Sequence, residues 1–188
     1  MSYELTTVRP PNMDLFPGTS FSRPGKSGYS ISGMENLRIC MYYAEVLDMD
    51  GADNDCEYPN PRGNFHEMMA HYKGEKLMAE GTVTQEEWDH FFEDAEKLRV
   101  WRSKRSLDPD KVLKCKFTSN DGWFVVPEEC MLISEAMGRL MVRMKNGEDV
   151  GLDLAEETGW DGPECLSRIR QWQLYNFVAS QSGGYEVW

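Results

Sequence analysis

Positive charge is what this sequence has least of. Twenty Lys and Arg stand against 32 Asp and Glu, giving a formal net charge of -12. Coating nucleic acid or lying on an anionic membrane requires a basic face, so extended nucleic-acid binding and membrane-surface binding are not expected. No stretch approaches the ~20 apolar residues of a membrane-spanning helix, and the first residues lack the apolar run of a secretory signal. Histidine is scarce, three in all, so a three-ligand zinc site would need all of them or several acids. The five cysteines (Cys40, Cys56, Cys115, Cys130 and Cys165) form no C-x-x-C pair. An odd number at wide spacing reads as reduced thiols, and hence as a cytoplasmic protein. No internal repeat or low-complexity tract is present.

What is there is a globular composition. The 188 residues are 40% hydrophobic and 12% aromatic, with six Trp. That length suits one domain and can bury a core without metals or disulfides. Residues 1–31 are rich in Pro, Gly and Ser and read as an extended arm with one short strand near Tyr29 to Ile31. Residues 32–188 read as a single α+β domain.

Capping patterns place the helices. Ser32 and Glu35 make an S-x-x-E box, followed by Leu37, Met41, Ala44 and Val46 or Leu47 at helical spacing. A second helix is expected from Asn64, with Phe65, Met68, Met69 and Tyr72 on one side. Thr84 and Glu87 make another box before Trp88, Phe91, Phe92, Ala95, Leu98 and Trp101, an amphipathic row. The alternation from Val112 to Phe117, the Asn120-Asp121-Gly122 turn and the run Trp123 to Val125 predict a hairpin over about 112–125. Pro127 with Glu128 and Glu129 then opens a helix to about Lys145, because proline suits a first turn and carboxylates suit the positive end of the dipole. An acidic loop follows. A last helix spans about Pro163 to Ser180, and Gly183-Gly184 leads into a terminal strand, Tyr185 to Trp188. The fold class is therefore α+β: four or five helices on a small antiparallel sheet from the hairpin and the C-terminal strand. The expected core is Leu37, Met41, Trp88, Phe91, Phe92, Leu98, Phe117, Ile133, Leu140, Ile169 and Phe177.

The block Ser119-Asn120-Asp121-Gly122-Trp123 with Pro127-Glu128-Glu129-Cys130, and the closing Gly183-Gly184-Tyr185-Glu186-Val187-Trp188, resemble a group of small bacterial and phage proteins with no assigned activity. The resemblance covers the C-terminal half and rests on structural motifs. It implies a microbial or phage origin and brings no active site with it.

Several patterns invite a chemical reading. His66 and His71 sit five residues apart, about 140° around a helix, where H-E-x-x-H needs four. Gly25-Lys26-Ser27 ends like a phosphate-binding loop but has Ser20 where the first Gly belongs, and no helix signal follows at once. Asp48, Asp50, Asp53, Asp55 and Glu57 surround Gly51, which falls fourth where the EF-hand loop wants it sixth. This acidic loop reads as solvated, with weak divalent-cation binding as the alternative. Glu86-Glu87 and Glu128-Glu129 have structural reasons to sit in first helical turns. Met137, Met141 and Met144 form a helical row that reads as core, or else as an adaptable partner surface.

Charge is also segregated along the chain. Lys97, Arg99, Arg102, Lys104, Arg105, Lys111, Lys114 and Lys116 cluster in one stretch. Seven acids and no base lie between Glu148 and Glu164. Arginine can grip phosphate bidentately and tryptophan can stack on a base, so Arg99, Trp101, Arg102, Lys104 and Arg105 are the candidate contacts. The leading expectation is a non-enzymatic binding protein that inhibits a host factor or sequesters a small phosphate-bearing ligand. Its partner is then a protein or that ligand, and no cofactor is expected. The alternatives are a small hydrolase or transferase with a site near His66, His71, His90 and the acidic loop 48–57, and a structural subunit of an assembly or homo-oligomer.

Overall fold

The computed structural model describes residues 2–9, 26–49, 59, 61–63, 83–119 and 121–188. The chain divides into two compact units, Met1–Asp55 with Ser103–Trp188, and Cys56–Arg102. The class is α+β, with five α-helices among the described residues and a small antiparallel sheet of four strands.

The first unit holds β1 (Ser2–Thr7), β2 (Lys26–Ser30), α1 (Ile31–Tyr43), β3 (Leu47–Asp48), β4 (Val112–Leu113), β5 (Trp123–Val125), α3 (Pro127–Lys145), α4 (Val150–Thr158), α5 (Gly162–Gln181) and β6 (Tyr185–Val187). Its main sheet runs in the order β2-β1-β6-β5, every pair antiparallel. Ser2–Thr7, within the segment read from sequence as an arm, is thus a strand between two others. Its alternation explains this: Tyr3, Leu5 and Thr7 are buried while Ser2 and Glu4 are exposed, the period-2 pattern of a half-buried strand.

The expected hairpin does not form. Only Val112 and Leu113 are strand, and they pair in parallel with Leu47 and Asp48. Lys114–Phe117 is a turn of 3-10 helix in which Cys115, Lys116 and Phe117 are all buried. Three consecutive buried side chains cannot lie on one face of a strand, so the alternating pattern was a false lead. β5 pairs instead with the C-terminal β6, Trp123 opposite Val187 and Val125 opposite Tyr185. Gly184 permits that approach. Its φ is +88°, and a Cβ there would lie 2.3 Å from the Val125 carbonyl oxygen.

Helix starts follow local chemistry. The α1 cap is Ser30 rather than Ser32: the Ser30 hydroxyl accepts from the Gly33 N–H at 3.0 Å. For α3, Val126 has no side-chain acceptor, and Glu129 reaches back to accept from the Val126 N–H at 3.0 Å. The segment expected as an acidic loop contains α4, closed by Gly159 at φ +70°. Its two buried residues, Val150 and Leu154, are one turn apart and supply the apolar stripe.

α3 packs along α5. Cys130, Ile133, Met137 and Leu140 face Cys165, Ile169, Trp172 and Ala179 in the core, all nearly without exposure. Each large apolar side chain so buried contributes about 1.5–3 kcal/mol. Trp172 meets Tyr29, Phe117 and Tyr185 edge-on and stacks with Tyr175. Phe177, expected inside, is 39% exposed.

The second unit contains α2 (Gln85–Arg102) and residues 61–63 among its described parts. The Thr84–Glu87 capping box is present, with the Glu87 N–H donating to the Thr84 hydroxyl and the Thr84 N–H to the Glu87 carboxylate. Val83, Trp88 and the half-buried Phe91 pack together. Phe92, expected inside, is 62% exposed and stacks on Trp88. Asp94 is buried because Arg62 clamps it. The Arg62 backbone N–H and Nε both reach Oδ2, at 2.8 and 3.0 Å, and Nη2 reaches Oδ1 at 2.8 Å. That grip holds the Asp94 carboxyl well below the usual carboxylate range. The helix expected from Asn64, together with His66, His71, the loop residues Asp50 to Glu57 and the segment Ser20 to Gly25, lies outside the described residues.

Candidate functional site

The end of α1 builds a pocket. The helix stops at Ala44, and Glu45 follows at φ +59°. The Glu45 N–H donates to the Tyr42 carbonyl at 2.8 Å and the Val46 N–H to the Met41 carbonyl at 3.1 Å. These two bonds define a Schellman turn. Glycine normally holds its left-handed position, because a side chain there costs about 1–2 kcal/mol. Beyond the turn, Val46 accepts from the Val112 N–H at 2.8 Å, and β3 and β4 align in parallel. That pairing brings the loop before β4 beside the helix end.

The resulting pocket has a volume of about 500 Å³. It is lined by Tyr42, Tyr43 and Glu45 from the helix end, Leu47, Asp48 and Met49 from β3, Asp108 and Lys111 from the loop, and Arg143 from α3. Tyr42 is 54% exposed and meets Tyr43 edge-on at 5.6 Å. The Tyr43 hydroxyl donates to Glu157 at 2.5 Å, a bond that pushes its pKa up to about 12.

The two cations in this pocket already have work in the fold. The last carbonyls of a helix lack partners within it, and both cations supply them at or just past the end of α1. Arg143 donates through Nη1 to the Tyr43 carbonyl at 3.0 Å and through Nε to Glu148 at 2.9 Å. Lys111 donates to the Glu45 carbonyl. The acids are differently placed. Asp48 accepts from the Ser106 hydroxyl, and Asp108 accepts from the Asp110 N–H at 2.9 Å. Both donors are neutral, and Asp108 has no cationic partner among the described residues. Among the described residues the Glu45 carboxylate makes no hydrogen bond or ion pair.

The sequence-derived candidates lie elsewhere. Arg99, Trp101 and Arg102 belong to the second unit, Lys104 and Arg105 to the first. Arg99 makes two 2.7 Å bonds to Glu96, which raise its pKa. Trp101 is 6% exposed, whereas stacking on a base needs an open face. Arg102 and Lys104 are half-buried, and Arg105 lies 3.9 Å from Glu128 at the surface. His90 is on α2, and no group of three His, Cys, Asp or Glu suited to a metal occurs among the described residues. Cys40, Cys130 and Cys165 are buried free thiols as expected, but Cys115 is disulfide-bonded. No helix among the described residues is long and apolar enough to cross a membrane.

The pocket was not legible in the sequence. Its local signal was Met41 and Val46 flanking a helix end, the apolar pair that accompanies a Schellman turn. Glutamate in the glycine position hid it. The chain matches no known family model, no curated protein and no solved structure.

Proposed function

We propose that the protein is a non-enzymatic binding protein that engages a protein partner through the pocket at the end of α1. The observation that carries this reading is Glu45. A residue held in the left-handed region costs stability. Its carboxylate gains no compensating bond among the described residues, and it stands at the wall of an open pocket. Exposed apolar side chains support a macromolecular partner: Tyr42 and Met49 line the opening, and Leu107, 99% exposed, neighbours Asp108 in the chain. The phosphate-bearing ligand suggested by the basic stretch has less support, since Arg99 is paired within its own helix and Trp101 is buried.

The setting we propose is the cytoplasm of a bacterial or phage-infected cell, with inhibition of a host factor as the role. Three buried free thiols fit a reducing compartment, while the Cys115 disulfide pulls the other way. The hydrolase or transferase reading depended on three histidines and the acidic loop, and His66, His71 and the loop residues Asp50 to Glu57 lie outside the described residues.

Two-dimensional amide NMR tests the site. Titration with blocked amino-acid amides spanning cationic, neutral and anionic side chains should give saturable shifts in the segments 42–49 and 106–111. If no probe moves those signals, the pocket is not the binding site.

A further inference from the structure

The charges around the pocket select its occupant. Every titratable group in the lining matters here: Tyr42, Tyr43, Glu45, Asp48, Asp108, Lys111 and Arg143. Arg143 is neutralised by Glu148 and anchored on a carbonyl. Lys111 is likewise turned to the Glu45 carbonyl. Arg143 is thus offset by Glu148, while Lys111, on a neutral carbonyl, keeps its charge. The lining sets that one cation against the three carboxylates of Glu45, Asp48 and Asp108, so its balance is negative. Asp108 and Glu45 have no cationic partner among the described residues. The C-terminal end of α1 adds the negative pole of its dipole. Tyr42 offers an exposed ring, whose face attracts a cation. Around this stands a chain of net charge -12, which steers cationic partners toward it.

We propose that the pocket receives a basic side chain, arginine or lysine, presented by the partner protein. The aliphatic stem would lie against Tyr42, Leu47 and Met49, and the charged head would meet Asp108 and Glu45. A pocket of about 500 Å³ accommodates such a side chain with room for neighbouring backbone. This inference rests on the pocket being the binding site. It goes further by fixing the sign of the ligand's charge and the kind of residue that carries it.

The test compares three probes by amide NMR at low salt: N-acetylarginine amide, N-acetylcitrulline amide and inorganic phosphate. Citrulline keeps the shape of arginine and loses its charge. The arginine probe should shift Tyr42, Glu45 and Asp108, and binding should weaken with citrulline by about fivefold or more. Asp108→Asn, an exposed change that leaves the core untouched, should weaken arginine binding by a similar factor and citrulline binding little. Phosphate should leave these signals unmoved. Equal binding of citrulline and arginine, or tighter binding of phosphate, would overturn the cationic occupant while leaving the pocket as a site. Silence from all three probes would overturn both readings.

Discussion

Two places in the first unit put a residue where local preference forbids it, and they differ in what compensates. Lys116 is fully buried, with Glu129 beside it at 1% exposure. The Lys116 ammonium donates to both Glu129 oxygens, at 2.7 and 3.0 Å, and to the Phe124 carbonyl at 2.7 Å. Glu129 also takes the Val126 N–H. Burial lowers the Lys116 pKa, and the Glu129 carboxylate opposes that shift. Here a costly residue is met on every side, and the network ties the 3-10 turn to β5 and the start of α3. Glu45 is the contrary case. Its backbone is strained and its carboxylate has no partner among the described residues. An unfavourable choice compensated inside the fold is structural, while one left uncompensated at a pocket points to function.

The largest effect should come from splitting the buried pair. Lys116→Met or Glu129→Leu alone strands a charge in the core and should cost about 3–5 kcal/mol by urea denaturation. The double variant should recover most of that loss, because two apolar side chains of similar size replace both charges. If the double is as unstable as the worse single, the pair is not the unit we describe.

Gly184→Ala should cost about 2 kcal/mol or more, since the added methyl meets the Val125 carbonyl and strains a left-handed backbone. Thermal unfolding would read it. Gly159→Ala, left-handed but open, carries only the backbone cost and should lose less.

Smaller and opposite in sign is Glu45→Gly. Relief of the left-handed strain should stabilise the protein by about 1 kcal/mol. Glu45→Ala keeps the strain and should change stability little. An equal gain from both would place the cost in the carboxylate instead of the backbone.

The acid limb tests the second unit. Asp94 is held below its ordinary range by Arg62, so this pairing contributes stability that is complete above the unfolded pKa of about 3.9 and is lost as pH falls below it. The signals of residues 61–63 should therefore change on acidification below that value. In Asp94→Asn that titration should shrink to the part contributed by Glu93, which also accepts from Arg62.

Helices α1, α2, α3 and α5 and the closing strand could be read from sequence, because each is written in a short window. Thr84 with Glu87, Pro127 with two glutamates, and Gly183-Gly184 are local signals, and each marks the boundary it suggested. The hairpin failed because alternation over Val112 to Phe117 suits a strand and a buried 3-10 turn equally until the partner is known. That partner, Leu47–Asp48, is remote in sequence. The expected burial of Phe92 and Phe177 failed for a related reason: an apolar row wider than the available core leaves its edge in water. The basic stretch at 97–116 was visible as composition, yet Lys116 is in the core and Arg99 is paired on its own helix. The pocket depends on a parallel pairing and on a glutamate in a glycine position, neither of which a sequence pattern announces.

The most direct measurement takes Glu45→Gly and records its stability and its affinity for N-acetylarginine amide together. The account predicts opposite movements, a stability gain of about 1 kcal/mol with binding weakened about fivefold. A gain in stability with binding unchanged, or a loss of stability, would contradict the claim that the strained residue is kept for the pocket.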